Sequence, residues 1–175
     1  MKSNIALIGF MGTGKTVVGK TLAERLGKEF IEMDALIERK AGKTIPEIFQ
    51  QDGEIVFREL EIEVAKEVSQ RENVVIACGG GVVLNKINID RLKRGCLIVY
   101  LTASPGEILK RTSGDENRPL LKTAERALRI RELLKFRQPF YERAADIKIN
   151  TSRLDINSVV EQIISQAKAN GSFSF

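Results

Sequence analysis

The chain of 175 residues has no histidine, two cysteines, four prolines and only 6% aromatic residues. Without histidine, the commonest general base and every His-bearing metal site are excluded, so any chemistry falls to carboxylates, lysine, arginine and the backbone. Cys78 and Cys96 are too few and too far apart for a structural zinc site or a disulfide framework, and they read as reduced packing residues. No stretch approaches the roughly 18 to 20 apolar residues of a membrane span, and the first ten residues lack a basic-then-apolar leader pattern. No repeat, low-complexity tract or linker divides the chain. The net charge of +5 comes from Lys and Arg interleaved with Asp and Glu, without a basic tract or an aromatic stacking series, so a nucleic-acid surface is not expected. With 43% hydrophobic residues, the length suits one well-buried domain over residues 1–175 and is short for two. The expectation is a cytoplasmic protein with no membrane partner. A monomer is also expected, because no exposed apolar stripe demands a second copy.

What is present begins at Gly9-Phe10-Met11-Gly12-Thr13-Gly14-Lys15-Thr16, a G-x-x-x-x-G-K-[ST] stretch of the kind that wraps the phosphates of ATP or GTP. Gly9, Gly12 and Gly14 permit positive φ and let backbone N–H groups approach phosphate oxygens with no Cβ in the way. Lys15 supplies a flexible point charge for the β- and γ-phosphates, and the Thr16 hydroxyl suits a magnesium ion. Gly12, Thr13, Gly14, Lys15, Thr16 and Val17 are therefore the candidate nucleotide contacts. The context agrees: residues 4–8 form an apolar run fit for a buried parallel strand, and residues 15–26 put Val18, Leu22 and Leu26 on one helical face before Gly27.

Four further apolar runs, at 30–33, 74–78, 97–101 and 147–150, read as strands. Helical periodicity fills 45–69, 87–93, 105–111 and 124–136, and a last helix carries Ile156, Val159, Val160, Ile163, Ile164 and Ala167 on one face. Gly171 ends that helix, and residues 171–175 are expected to fray. Alternating strands and helices imply an α/β fold with a mainly parallel sheet covered on both faces. Residues 112–121, with Gly114, Asp115, Asn117 and Pro119, read as a polar loop of the kind that closes over nucleotide.

Outside the phosphate loop, Asp34 follows the second strand, where parallel strands open onto a ligand crevice. It could hold magnesium through water, orient or deprotonate an attacking hydroxyl, or merely cap a helix beginning near Ala35. Gly79-Gly80-Gly81 ends the third strand, and is either a place of close backbone approach to a ligand or a flexible turn. Arg58, between Glu54 and Glu61, taken alone reads as a surface ion pair. Arg118 lies in the polar loop and Arg137 precedes Gln138-Pro139, where helix is disfavoured; arginines on loops commonly grip phosphate or carboxylate bidentately.

Together these motifs resemble the shikimate kinase family over nearly the whole chain. The resemblance rests on the phosphate loop, Asp34, Gly53-Glu54 with Phe57-Arg58 and Glu61, the Gly79-Gly80-Gly81 triplet, Arg118-Pro119-Leu120-Leu121, and Arg137 with Pro139 and Tyr141. It implies a three-layer P-loop kinase with five parallel strands in order 2-3-1-4-5, transferring the ATP γ-phosphate to the 3-hydroxyl of shikimate with Mg2+. By that resemblance Asp34 binds the substrate hydroxyls, Arg58 and Arg137 grip its carboxylate, and Gly79, Gly80 and Gly81 offer backbone contact. Lys15 and Arg118 neutralise the transferring phosphate, Thr16 binds the metal, and Arg153 lies near adenine. The mobile parts would be a lid over 112–121 and a substrate-binding segment over 37–61. Glu32 stands where the family usually has Asp, Cys78 where a hydroxyl residue is frequent, and Asn150 where an acid is common. Two other readings are a different small-molecule kinase, for gluconate or a nucleotide, and a nucleotide-binding regulatory module. The latter has no need of Asp34, Arg58 and Arg137 together.

Overall fold

A computed structural model describes residues 1–113 and 123–175. Five strands, β1 (Asn4–Ile8), β2 (Glu29–Glu32), β3 (Val74–Ala77), β4 (Cys96–Thr102) and β5 (Ile147–Asn150), form one parallel sheet in the order β2-β3-β1-β4-β5. β1 lies in the middle and is buried at all five positions, which is why its sequence is an unbroken apolar run rather than an alternating one. At the edge, β5 alternates: Ile147 and Ile149 point inward while Lys148 and Asn150 face solvent.

Eight α-helices are present among the described residues: α1 (Lys15–Leu26), α2 (Met33–Ala41), α3 (Ile45–Gln51), α4 (Gly53–Val68), α5 (Lys86–Gly95), α6 (Pro105–Thr112), α7 (Thr123–Ala144) and α8 (Ile156–Ala169). A short 3₁₀ turn, Val82–Leu84, links β3 to α5. One face of the sheet packs Ala6, Ile8 and Ile76 against α2, α4, α5 and α7; the other packs Ile5, Leu7 and Val99 against α1 and α8. No helix among the described residues is long and apolar enough to cross a membrane.

Local chemistry fixes most helix ends. Gly27 adopts φ +62° and its N–H closes α1 onto Ala23 and Glu24, as its position after the last apolar residue predicts. Thr44 and Glu47 form a reciprocal capping box at the start of α3. Three boundaries differ from expectation. The helix foreseen over 45–69 is broken in two, because Gly53 sits at φ +87°, a conformation that interrupts the α ladder. The helix foreseen to stop at Phe136 runs through Pro139 to Ala144. Proline there forfeits the bond to the carbonyl four residues back, at a cost of about 3 kcal/mol, but the continuation buries Tyr141 and Ala144 in the main core.

The third difference is at the end of the chain. Residues 171–175 do not fray: Lys2 pairs with Phe173, its N–H donates to Ser172 O at 2.8 Å, and Ser174 N–H donates back to Lys2 O at 2.9 Å. The Phe173 side chain is only 7% exposed, within the α1 and α8 core. Deleting residues 171–175 is therefore expected to cost about 2 kcal/mol, the value of one buried aromatic side chain. In a calorimetric melt this should lower Tm by about 5 °C. An unchanged Tm would mean the pairing carries no stability.

Candidate active site

The first turn after each strand faces the same end of the sheet, and the phosphate loop follows β1. Gly9, Gly12 and Gly14 all have positive φ, and a Cβ on Gly9 would stand 2.4 Å from the Leu101 carbonyl oxygen. Lys15 folds back over the loop and donates from Nζ to the carbonyls of Gly9 at 2.8 Å and Phe10 at 2.9 Å. The Thr13 hydroxyl is buried and donates to Phe10 O at 2.8 Å, so this side chain braces the loop and leaves only backbone for a ligand. The Thr16 hydroxyl donates to Glu32 Oε1 at 2.6 Å, and Val17 is half exposed at the mouth. A cavity of about 300 Å³ lies here, with Gly12, Gly14, Lys15, Thr16, Glu32 and Asp34 in its wall.

Beside it, the glycine triplet is the point where side chains from three helices meet. A Cβ on Gly79 would lie 2.9 Å from Asp34 Oδ1 and 3.3 Å from Glu61 Oε2; on Gly80, 3.4 Å from Arg137 Nη1; on Gly81, 2.4 Å from Arg58 Nη1. Asp34 comes from α2, Arg58 and Glu61 from α4, Arg137 from α7. The Tyr141 hydroxyl donates to the Gly80 carbonyl, tying α7 to the triplet. The alternative of a merely flexible turn does not describe this segment, whose every residue is packed against a charged group.

The structure corrects three local readings. Asp34 is not the cap of a helix beginning near Ala35: α2 begins at Met33, Glu32 occupies the cap position, and Asp34 stands in the first turn. There its carboxylate also meets the favourable end of the helix dipole. Arg58 is not a surface ion pair. Its Nη1 meets Glu61 Oε1 at 2.9 Å, and the Glu61 side chain is 1% exposed, while the pair with exposed Glu54 is longer, at 3.5 Å. Arg137 is on a helix rather than a loop, and its guanidinium lies 5.7 Å from the centre of the Phe10 ring.

Among the described residues, two buried polar atoms here, Glu61 Oε2 and Arg137 Nε, have no hydrogen-bond partner. In a native site such atoms await a ligand or water. Burial raises the Glu61 pKa above its ordinary value of 4.5, against the lowering pull of Arg58; Asp34 adds to the rise. The folded state therefore binds the Glu61 proton more tightly than the unfolded chain, and this group's contribution to stability is lost as pH rises from about 4.5 upward. Glu61→Gln removes that contribution, so the Tm of the variant relative to the parent should climb between pH 4.5 and 7, read by calorimetry at stepped pH. Parallel curves would refute the burial effect.

Arg118, and most of the foreseen lid over 112–121, lie outside the described residues. Arg153 is exposed on the turn after β5. Sequence reasoning missed Arg111, which donates to Gly12 O at 3.2 Å, Thr151 Oγ1 at 3.1 Å and Thr151 O at 2.9 Å, bridging the phosphate loop to the turn after β5. Its one sequence signal, Glu107 four residues earlier, suggests only a helix-surface pair, which does exist at 3.0 Å. Cys78 and Cys96 are free and buried, as expected, and burial pushes the Cys96 thiol up to about 12 and Cys78 higher still.

Among the described residues, no cluster of three or more His, Cys, Asp or Glu is placed to hold a metal ion. The Thr16 hydroxyl and the Glu32 carboxylate instead offer a small set of hard oxygen donors beside the phosphate loop. That set suits a divalent cation which takes most of its ligands from phosphates and water.

A loop shaped for phosphates, with a carboxylate and two guanidinium groups aimed at a neighbouring pocket, defines a P-loop kinase acting on a small acceptor. The family model described as shikimate kinase matches residues 11–168. A shikimate kinase of Caldanaerobacter subterraneus subsp. tengcongensis is 48% identical over 161 residues, 92% of this chain and 94% of the relative. Shikimate kinase from Acinetobacter baumannii, solved in complex with shikimate, superposes with a TM-score of 0.91 at 40% identity, covering 98% of this chain and 96% of that one. The chain belongs to the shikimate kinase family. A gluconokinase from Sinorhizobium meliloti, 19% identical with a TM-score of 0.60 and coverages of 94% and 92%, shares the fold alone.

Proposed function

We propose that this enzyme transfers the γ-phosphoryl group of ATP to the 3-hydroxyl of shikimate, giving shikimate 3-phosphate and ADP. The observation that carries the assignment is the convergence of Asp34, Arg58 and Arg137 on the Gly79–Gly81 backbone beside the phosphate loop. Arg58 and Arg137 take the substrate carboxylate, which fills the unmet Arg137 Nε donor. Gly79, Gly80 and Gly81 let the acceptor ring approach main chain. Asp34 accepts from the substrate hydroxyls and orients the nucleophile, taking its proton as the O–P bond forms.

On the nucleotide side, the N–H groups of Gly12 to Val17 surround the phosphates, and Lys15 together with Arg118 offsets charge on the transferring group. Thr16 and Glu32 would hold Mg2+, which would neutralise phosphate charge when bound. Arg153 lies near adenine, and Arg111 braces the loop beneath it. Transfer needs no covalent protein intermediate, so a chain without histidine is adequate. Residues 1–175 act as one monomeric domain, with 112–121 as lid and 37–61 as the segment that closes on substrate; the setting is cytoplasmic.

A coupled assay of ADP release with shikimate, gluconate and nucleoside monophosphates tests the assignment. Shikimate should be preferred by roughly 10³-fold or more, because unmatched acceptors leave buried guanidinium donors unpaired. Nucleotide binding without turnover of any acceptor would favour the regulatory module.

A further inference from the structure

A second cavity, of about 240 Å³, lies between the 3₁₀ turn, α5 and the last turns of α7. None of its lining residues is shared with the phosphate-loop cavity. Val83, Ile89, Phe140 and Ala144 give it an apolar lining, and Lys93 and Arg143 add positive charge. Lys86 and Asp90, also in the wall, neutralise each other at 2.6 Å. Among the described residues Lys93 donates to one neutral group, the Arg143 carbonyl, at 3.2 Å, and the Arg143 guanidinium lies 4.9 Å from the centre of the Phe140 ring. Among the described residues neither cation is in an ion pair. An apolar pocket with two unbalanced positive charges matches a small molecule that has an apolar body and one anionic group.

The walls of this cavity are also the supports of the active site. The 3₁₀ turn hangs from the glycine triplet: Val82 N–H donates to Gly79 O and Leu84 N–H to Gly81 O, both at 3.1 Å. α7 carries Arg137 one turn before Tyr141, whose hydroxyl holds Gly80. A molecule bridging the 3₁₀ turn and α7 draws together the element that hangs from the glycine triplet and the one that carries Arg137.

We propose that this cavity is a regulatory site for a small apolar monocarboxylate, whose binding tightens the shikimate pocket. The regulatory half rests on the function proposed above; the binding half does not. Isothermal titration of the full chain with 3-phenylpropionate should show one site. The uncharged 3-phenylpropionamide should bind at least about tenfold more weakly, as expected for loss of charge-assisted hydrogen bonds. The double variant Lys93→Gln/Arg143→Gln changes two surface cations, and should lose affinity for the acid by a similar factor with unaltered activity in its absence. Saturating acid should lower the KM for shikimate about fivefold without changing kcat, and shikimate should tighten the acid reciprocally.

No binding heat, equal binding of acid and amide, or full affinity in the double variant would overturn the site. So would displacement of the acid by shikimate, which would place it against Arg58 and Arg137 instead. Bound acid with an unmoved KM would overturn the regulatory half. Bound acid on a protein that phosphorylates other acceptors but not shikimate would leave the site standing and remove the substrate assignment.

Discussion

Lys15→Ala is expected to lower kcat by about 10²- to 10³-fold, the usual effect of removing one preorganised donor from a transition state. The KM for shikimate should barely move. The ammonium lies over the loop on the carbonyls of Gly9 and Phe10, a position from which the proposed phosphate role needs only a short swing of a flexible stem. A fall in kcat at constant KM is the signature of an interaction made in the transition state alone. Lys15→Arg should fail to restore the rate, since a planar guanidinium cannot occupy the space of a compact ammonium. Steady-state kinetics by coupled ADP release is the measurement. Retention of a tenth of the activity in the alanine variant would remove Lys15 from the catalytic account.

Arg58→Ala should act in the opposite way, raising the KM for shikimate by about 10²-fold, equivalent to losing one or two charged hydrogen bonds. It has a second effect, because Glu61 loses the partner that lies 2.9 Å away while remaining buried. An unpaired buried carboxylate is costly; with Arg58 still 23% exposed, about 1–3 kcal/mol of stability is expected to go. The two effects separate in Arg58→Ala/Glu61→Gln, which should recover much of the stability and none of the affinity. Kinetics and calorimetry on the single and double variants decide the matter. An unchanged KM in either would remove Arg58 from substrate binding.

The candidate phosphate loop was legible because its residues are consecutive: an apolar run, glycines, lysine and threonine, then a helical face. Strand positions were legible too, since buried parallel strands have no alternation to obscure them. The strand order 2-3-1-4-5 came from family resemblance, because nothing in the spacing of apolar runs says which neighbours pair. Harder to read were features decided by distant contacts. Pro139 stays in a helix because Tyr141 and Ala144 reach the core, and Phe173 is held because Lys2 lies beside it. Glu61 and Arg111 each resemble half of an ordinary helix-surface pair. Their burial and reach across the fold exist only once the sheet has brought separate segments together.

The three consecutive glycines also bear on how such an enzyme could diverge. Every mutation at Gly79 or Gly81 adds atoms where carboxylate or guanidinium already stands, at 2.9 Å and 2.4 Å from a new Cβ. Natural variation at these codons can only subtract room. A lineage acquiring a bulkier or differently charged acceptor must therefore do so through α2, α4 and α7, whose side chains can shrink, lengthen or swap charge while the strand beneath them keeps its path.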